Sequence, residues 1–140
     1  MSQVIVKTGL EHYKTNVTTS THEILADEPK PLGTDLGPNP YEFLLVALGT
    51  CVSMTLRMYA DRKGWDMQEV EVHLSQQRIH AKDCENCESE DGYIHSIEKK
   101  LQFKGDLSEE QVNRLLEIAD KCPVQKTLLN EIKIQTSLLS

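Results

Sequence analysis

The chain has 140 residues, 39% hydrophobic and 26% charged, with 22 acidic against 15 basic side chains and a formal charge of −7. That length suits one domain, residues 1–140, with a core of its own, and the composition is ordinary for a soluble globular protein. The acidic balance excludes nucleic acid or an anionic membrane held by a basic patch, since the closest stretch, Glu98-Lys99-Lys100, is mixed in sign.

The first 27 residues are rich in Val, Thr, Ile and Tyr, broken by Gly9 and Ser20, and predict three short strands near 3–8, 12–19 and 21–27. Met1-Ser2-Gln3-Val4 lacks the basic start and apolar stretch of a signal peptide, so a cytoplasmic protein is expected. A loop rich in Pro and Gly, Glu28–Pro40, follows; loops of that length often serve function or an interface. Gly33 and Gly37 within it lack the strand–helix setting of a phosphate-binding loop.

Asn39 caps the main helix and Pro40 takes its first position. The helix is expected to run to Lys63 and stop at Gly64. From Tyr41 to Leu48 it is apolar nearly all round, which predicts a buried central element, and Gly49 predicts another backbone packed close. The longest apolar run, Phe43–Leu48, is too short to span a bilayer, so no membrane is expected. Trp65, just past Gly64, is expected to pack the helix terminus.

Alternation then predicts two long strands, Glu69–His80 with Val70, Val72 and Leu74 on one face, and Tyr93–Lys104 with Tyr93, Ile97, Leu101 and Phe103 on one face. Between them lies an acidic loop, 81–92. Ser108 and Gln111 form a capping-box pair for a helix with core face Val112, Leu115, Leu116 and Ala119. A short helix from Pro123 to about Leu129 and a last strand, Glu131–Leu138, complete an α+β chain.

Two of the four cysteines stand in settings that suit paired redox work: Cys51 inside the apolar helix, and Cys122 directly before Pro123. A thiolate attacks peroxide oxygen and becomes a sulfenic acid, which a second thiol condenses with to give a disulfide. With Pro123 at the first helical position, Cys122 is a cap whose sulfur faces unpaired N–H groups, and Lys121 and Lys126 add charge. Cys51 needs a cation or donor from elsewhere, because apolar surroundings raise a thiol pKa. A lone core cysteine is commonly just a small hydrophobe, so inert packing stays open for each.

The other pair makes a different pattern. Cys84-x2-Cys87 is half a zinc site, and His80 at the end of a strand is a third candidate ligand, with His95, Asp83 or Glu88 as a fourth. The same pair also reads as a redox dithiol or as incidental thiols in a solvated loop. Acidic neighbours disfavour the dithiol. His12 and His22 read as surface or hydrogen-bonded strand residues.

PNPYEFLLVALGTCVSM (38–54) and IADKCPVQKTL (118–128), in that order, resemble the OsmC-like family, which includes the osmotically inducible and organic hydroperoxide resistance proteins. The resemblance covers most of the chain. It implies an OsmC-like fold: an intertwined homodimer with a buried central helix packed against antiparallel sheets and sites at the subunit interface. It also implies thiol-dependent reduction of organic hydroperoxides in oxidative-stress defence, with Cys51 peroxidatic, Cys122 resolving and an external dithiol as reductant. No cofactor is required for that chemistry.

The sequence departs from the family's active members in two ways. They share an N-terminal arginine that stabilises the peroxidatic thiolate, whereas the first arginine here is Arg57. Lys7, Lys14 or Lys30 could supply charge but not the planar fork. The catalytic glutamate candidate, Glu42, lies one residue nearer the cysteine than in those members. On an ideal helix it is about 180° and roughly 13 Å from Cys51, so it reaches that thiol only across a dimer interface or serves as a first-turn carboxylate. Two alternatives remain: an OsmC-like scaffold binding a metal ion or small ligand through His80, Cys84 and Cys87, and a dimeric stress protein with structural thiols.

Overall fold

Backbone pairing in the first 26 residues follows the Val/Thr/Ile pattern. The computed structural model describes residues 2–80 and 92–139, and the chain divides into two compact units with the boundary after Val46. In the first unit, β1 (Ile5–Thr8), β2 (Thr15–Thr18) and β3 (Glu23–Ala26) form an antiparallel sheet in that order. Val6, Val17 and Ile24 stand in register across the three strands, the side-by-side stacking that stabilises a sheet face. The strands are shorter than expected because their ends turn. Tyr13 takes a left-handed φ of 54°, and the Thr19 hydroxyl accepts from the His22 and Thr21 N–H groups at 2.9 and 3.3 Å.

The loop after β3 is organised by one carboxylate. Asp27 is buried, 2% exposed. Its oxygens accept from the Thr34 hydroxyl at 2.6 Å and from the N–H groups of Glu28 at 2.8 Å, Leu36 at 3.2 Å and Thr34 at 3.4 Å. Gly33 lies so close that an added Cβ would sit 2.3 Å from the Glu28 carbonyl oxygen and 2.5 Å from Asp27 Oδ1. The Thr34 hydroxyl above all, with those N–H groups and against the cost of burial, holds the Asp27 carboxyl at about 2, below the ordinary 3.8.

A lowered folded pKa means stability present above the unfolded value and lost as pH falls through the folded one. Asp27→Asn removes the charge and turns an amide donor toward N–H groups. The variant is therefore expected to melt below wild type above pH 3.8, with the gap closing as pH falls toward about 2. Thermal midpoints against pH measure this, and a gap that stays constant would contradict it.

Helix α1 (Pro40–Lys63) starts and stops where its signals stand. At its end Gly64 has φ 69°, its N–H bonds Asp61 O at 3.2 Å, and the Trp65 N–H bonds Ala60 O at 2.9 Å, the paired closure that a left-handed glycine permits. Trp65 then packs edge-on to Tyr59, with centroids 5.5 Å apart, as expected of a residue sealing the terminus.

In the second unit, β4 (Glu69–His80) and β5 (Tyr93–Lys104) form an antiparallel pair, with the bounds that alternation predicts. Val70 stands opposite Phe103 and Val72 opposite Leu101. Their inner face packs on Leu48, Val52, Leu56 and Ala60 of α1, a stripe at four-residue spacing, and on α2 (Glu109–Ala119). Ser108 and Gln111 make the expected capping box at the start of α2, with mutual bonds of 3.1 and 2.9 Å. Helix α3 (Pro123–Leu128) follows.

Four details differ from the sequence reading. The buried residues of α1 are Leu48, Gly49, Val52, Leu56 and Ala60, whereas Tyr41 and Val46 of the apolar first half are more than half exposed. What meets Gly49 is the Leu74 side chain, 2.7 Å from an added Cβ, not a backbone. On α2, Ile118 takes the core place given to Leu116, which is 43% exposed. No strand forms over 131–139, a segment that joins neither sheet; a strand exists only where another backbone accepts its hydrogen bonds.

By length and composition α1 is apolar enough to cross a membrane, with a mean hydropathy of 1.5. The run Phe43–Leu48 alone understated it. Its Leu48–Ala60 stripe lies in the core of the second unit.

Candidate active site

Helix α2 closes at Asp120, and two residues later Cys122 adopts an extended backbone (φ −69°, ψ 143°) as the cap of α3, with Pro123 beginning the helix. A proline there is already set for helical φ and lacks only an N–H that would be unpaired anyway. Cys122 Sγ accepts from the Gln125 N–H at 3.3 Å, the capping bond that the Cys-Pro pair predicts.

The thiol chemistry turns out differently. Cys122 has no exposed surface, and burial pushes its pKa up from the ordinary 9.0. The Gln125 N–H pulls the other way, the neighbouring Cys51 thiol pushes further up, and the Lys99 charge pulls down. One N–H does not compensate for complete removal from water. The capping sulfur is thus held as a thiol, where the sequence reading expected a stabilised thiolate.

Cys51 lies on α1, half-buried, against the same cluster of core residues. The fold therefore brings the two sequence-distant thiols into interaction, one shut off from solvent and the other open to it in part.

A third residue belongs with them. Lys99 falls on the core-facing phase of β5, between Ile97 and Leu101 and opposite Leu74. Its side chain is only 13% exposed. The ammonium donates to Ala119 O at 3.0 Å, to Asp120 Oδ1 at 3.1 Å and to Gln125 Oε1. Gln125 donates in turn to Asp120 Oδ1 at 3.1 Å, and with the Lys99 charge this holds the Asp120 carboxyl below its usual range. Sequence reading passed over Lys99 among the charges of 98–100. The available signal was phase: a lysine at a position where the alternation calls for an apolar side chain.

Glu42 has a defined local task. Its Oε1 accepts from the Asn39 N–H at 3.0 Å while Asn39 Oδ1 accepts from the Glu42 N–H at 2.9 Å, a capping box that the Asn39-x-x-Glu42 spacing announces and the sequence reading left unused. Lys7, Lys14 and Lys30 lie in the first unit, Lys14 paired with Glu11 at 3.6 Å. Arg57 is engaged with Asp61 at 2.6 Å and with the Met67 carbonyl.

His80 ends β4 exposed, its ring 4.3 Å from that of Tyr93. Cys84, Cys87, Asp83 and Glu88 lie outside the described residues, so the zinc reading rests on positions without described geometry. Among the described residues no group of three His, Cys, Asp or Glu side chains could hold a metal ion. His95 Nδ1 accepts from Gln76 Nε2 at 2.6 Å.

A family model described as OsmC-like protein matches residues 33–137. No curated protein matches the sequence. Among solved structures, an OsmC-like protein of Mycoplasma pneumoniae superposes with a TM-score of 0.72 at 18% identity, covering 92% of this chain and 87% of that one. An organic hydroperoxide resistance protein of Legionella pneumophila gives 0.65 at 15% identity over 91% and 88%. One from Elizabethkingia anophelis gives 0.65 at 19% identity over 91% and 86%. At such identities the likeness bears on the fold: antiparallel sheets with a long helix.

Proposed function

The chain belongs to the OsmC-like protein family, and we propose that within it this protein is a thiol-dependent reductase of organic hydroperoxides. The observation that carries the reading is that Cys51 and Cys122, from two elements, meet in one packed cluster, where Cys51 adds to the upward push on the Cys122 pKa. In this reading the Cys51 thiolate attacks the terminal peroxide oxygen, the O–O bond breaks, and the alcohol leaves with a proton. Cys51 is then a sulfenic acid. The Cys122 sulfur attacks the Cys51 sulfur, water departs, and a disulfide remains for an external dithiol to reduce.

The division of labour follows exposure. Cys51 is reachable, whereas Cys122, fully enclosed and held protonated by burial, waits as the resolving thiol. The apolar setting of Cys51 favours alkyl or fatty-acid hydroperoxides over hydrogen peroxide. That two of these structural relatives are named for organic hydroperoxide resistance supports this substrate class.

Exposed apolar surface supports a homodimer. Val4, Val6, Val17, Ile24 and Phe43 line an open groove of about 630 Å³ on the first sheet, and Met54 and Met58 of α1 are more than half exposed. A second copy would cover such surface, and Glu42 enters the chemistry only if it reaches Cys51 of the partner. A cytoplasmic setting, which keeps thiols reduced between turnovers, completes the reading. The test is steady-state consumption of an alkyl hydroperoxide with a dithiol reductant. Turnover above the protein-free rate is expected; none would reject the assignment.

A further inference from the structure

Lys99 is costly where it stands. An ammonium removed from water must recover several kcal/mol through charge-assisted bonds, and an apolar residue of similar size is often as stable or more so. Lys99 recovers the cost through Ala119 O, Asp120 Oδ1 and Gln125 Oε1. Those acceptors are the last residue of α2, its cap, and the residue whose N–H holds Cys122 Sγ. All its bonds therefore converge on the corner that carries the enclosed thiol. Among the described residues, the charged or titratable groups that act on Cys122 or bond Lys99 here are Cys51 from α1, Lys99 itself from β5 and Asp120 from the end of α2.

We propose that Lys99 is the positioning cation of the thiol pair and acts in the recycling step, taking up the negative charge left on Cys122 when the Cys51–Cys122 disulfide opens. The proposal rests on the reductase reading for the origin of that disulfide. A thiolate of the external dithiol attacks Cys51 Sγ, the sulfur with access. The Cys51–Cys122 bond breaks, and its electron pair stays on Cys122 Sγ beside the Gln125 N–H and the Lys99 charge. The reductant is now joined to Cys51 as a mixed disulfide. Its second thiol attacks its own bonded sulfur, Cys51 leaves as thiolate, and the reductant departs as a cyclic disulfide. The two protons of the reductant end on Cys51 and Cys122. Exchange is faster when the leaving thiolate is stabilised and the attacked sulfur is accessible, and this corner supplies both on opposite sulfurs.

The experiment starts from protein oxidised chemically with diamide, so that the disulfide does not depend on any peroxide activity. Reduction by dithiothreitol is followed by acid quenching and mass spectrometry of the Cys51–Cys122 cross-linked peptide. Lys99→Met is expected to slow reduction about tenfold or more, and Lys99→Arg to restore most of the rate. In a Cys51→Ser background, Lys99→Met should move the ultraviolet thiolate absorbance of Cys122 to higher pH, which a purely structural role would not do. A monothiol reductant should be trapped on Cys51 in the wild type, a readout that needs no lysine variant to fold. Reduction of Lys99→Met at the wild-type rate, or a trapped adduct on Cys122, would overturn the proposal. Failure of the reductase reading shows separately, as wild-type thiols that survive hydroperoxide.

Discussion

Cys51→Ser is expected to lower hydroperoxide consumption at least about 1,000-fold, to the level of the reductant alone. A serine hydroxyl at neutral pH is neither ionised nor soft enough to attack peroxide oxygen. Cys122 cannot stand in, because it has no exposed surface and burial keeps it protonated. The half-buried position of Cys51 on α1 makes the substitution mild for the fold, so lost activity should come without lost structure. Consumption by Cys51→Ser equal to wild type would place the chemistry elsewhere, with Cys84 and Cys87 the next thiols to test.

The second large effect is on stability. Leu56 has no exposed surface and sits in the α1 stripe between the β4–β5 sheet and α2. Leu56→Ala removes buried methyl groups and leaves a cavity that close-packed neighbours fill only in part, at a cost of about 3 kcal/mol. For a chain of this size that corresponds to a thermal midpoint lower by roughly 10 °C. Calorimetry or circular dichroism against temperature checks it. A midpoint within about 2 °C of wild type would mean that this stripe is not the core of the second unit.

What could be read in the sequence was whatever local rules decide. Asn39-Pro40 and Gly64 bound α1 because capping and left-handed closure are local. The spans of β4 and β5 followed from alternation over twelve residues each. Cys122 was placed as a cap by Pro123 alone. The thiol's acidity was not legible, because desolvation depends on what other elements cover the sulfur.

Other features were there to be found. Asn39-x-x-Glu42 is a capping box in plain view, and Lys99 breaks the apolar phase of its strand. The last segment shows the opposite limit. Ile132 and Ile134 alternate with polar residues as a strand should, yet both are exposed and no sheet takes them. Pattern gives a segment the capacity to pair, and only a partner edge realises it.

The pairing of Cys51 with Cys122 is most directly tested by treating the reduced protein with one equivalent of an alkyl hydroperoxide and mapping its disulfides by mass spectrometry. One cross-linked peptide pair is expected, joining the segment that contains Cys51 to the segment that contains Cys122, with one equivalent of alcohol formed. Both thiols recovered free, or Cys51 oxidised beyond the sulfenic state with Cys122 untouched, would contradict it.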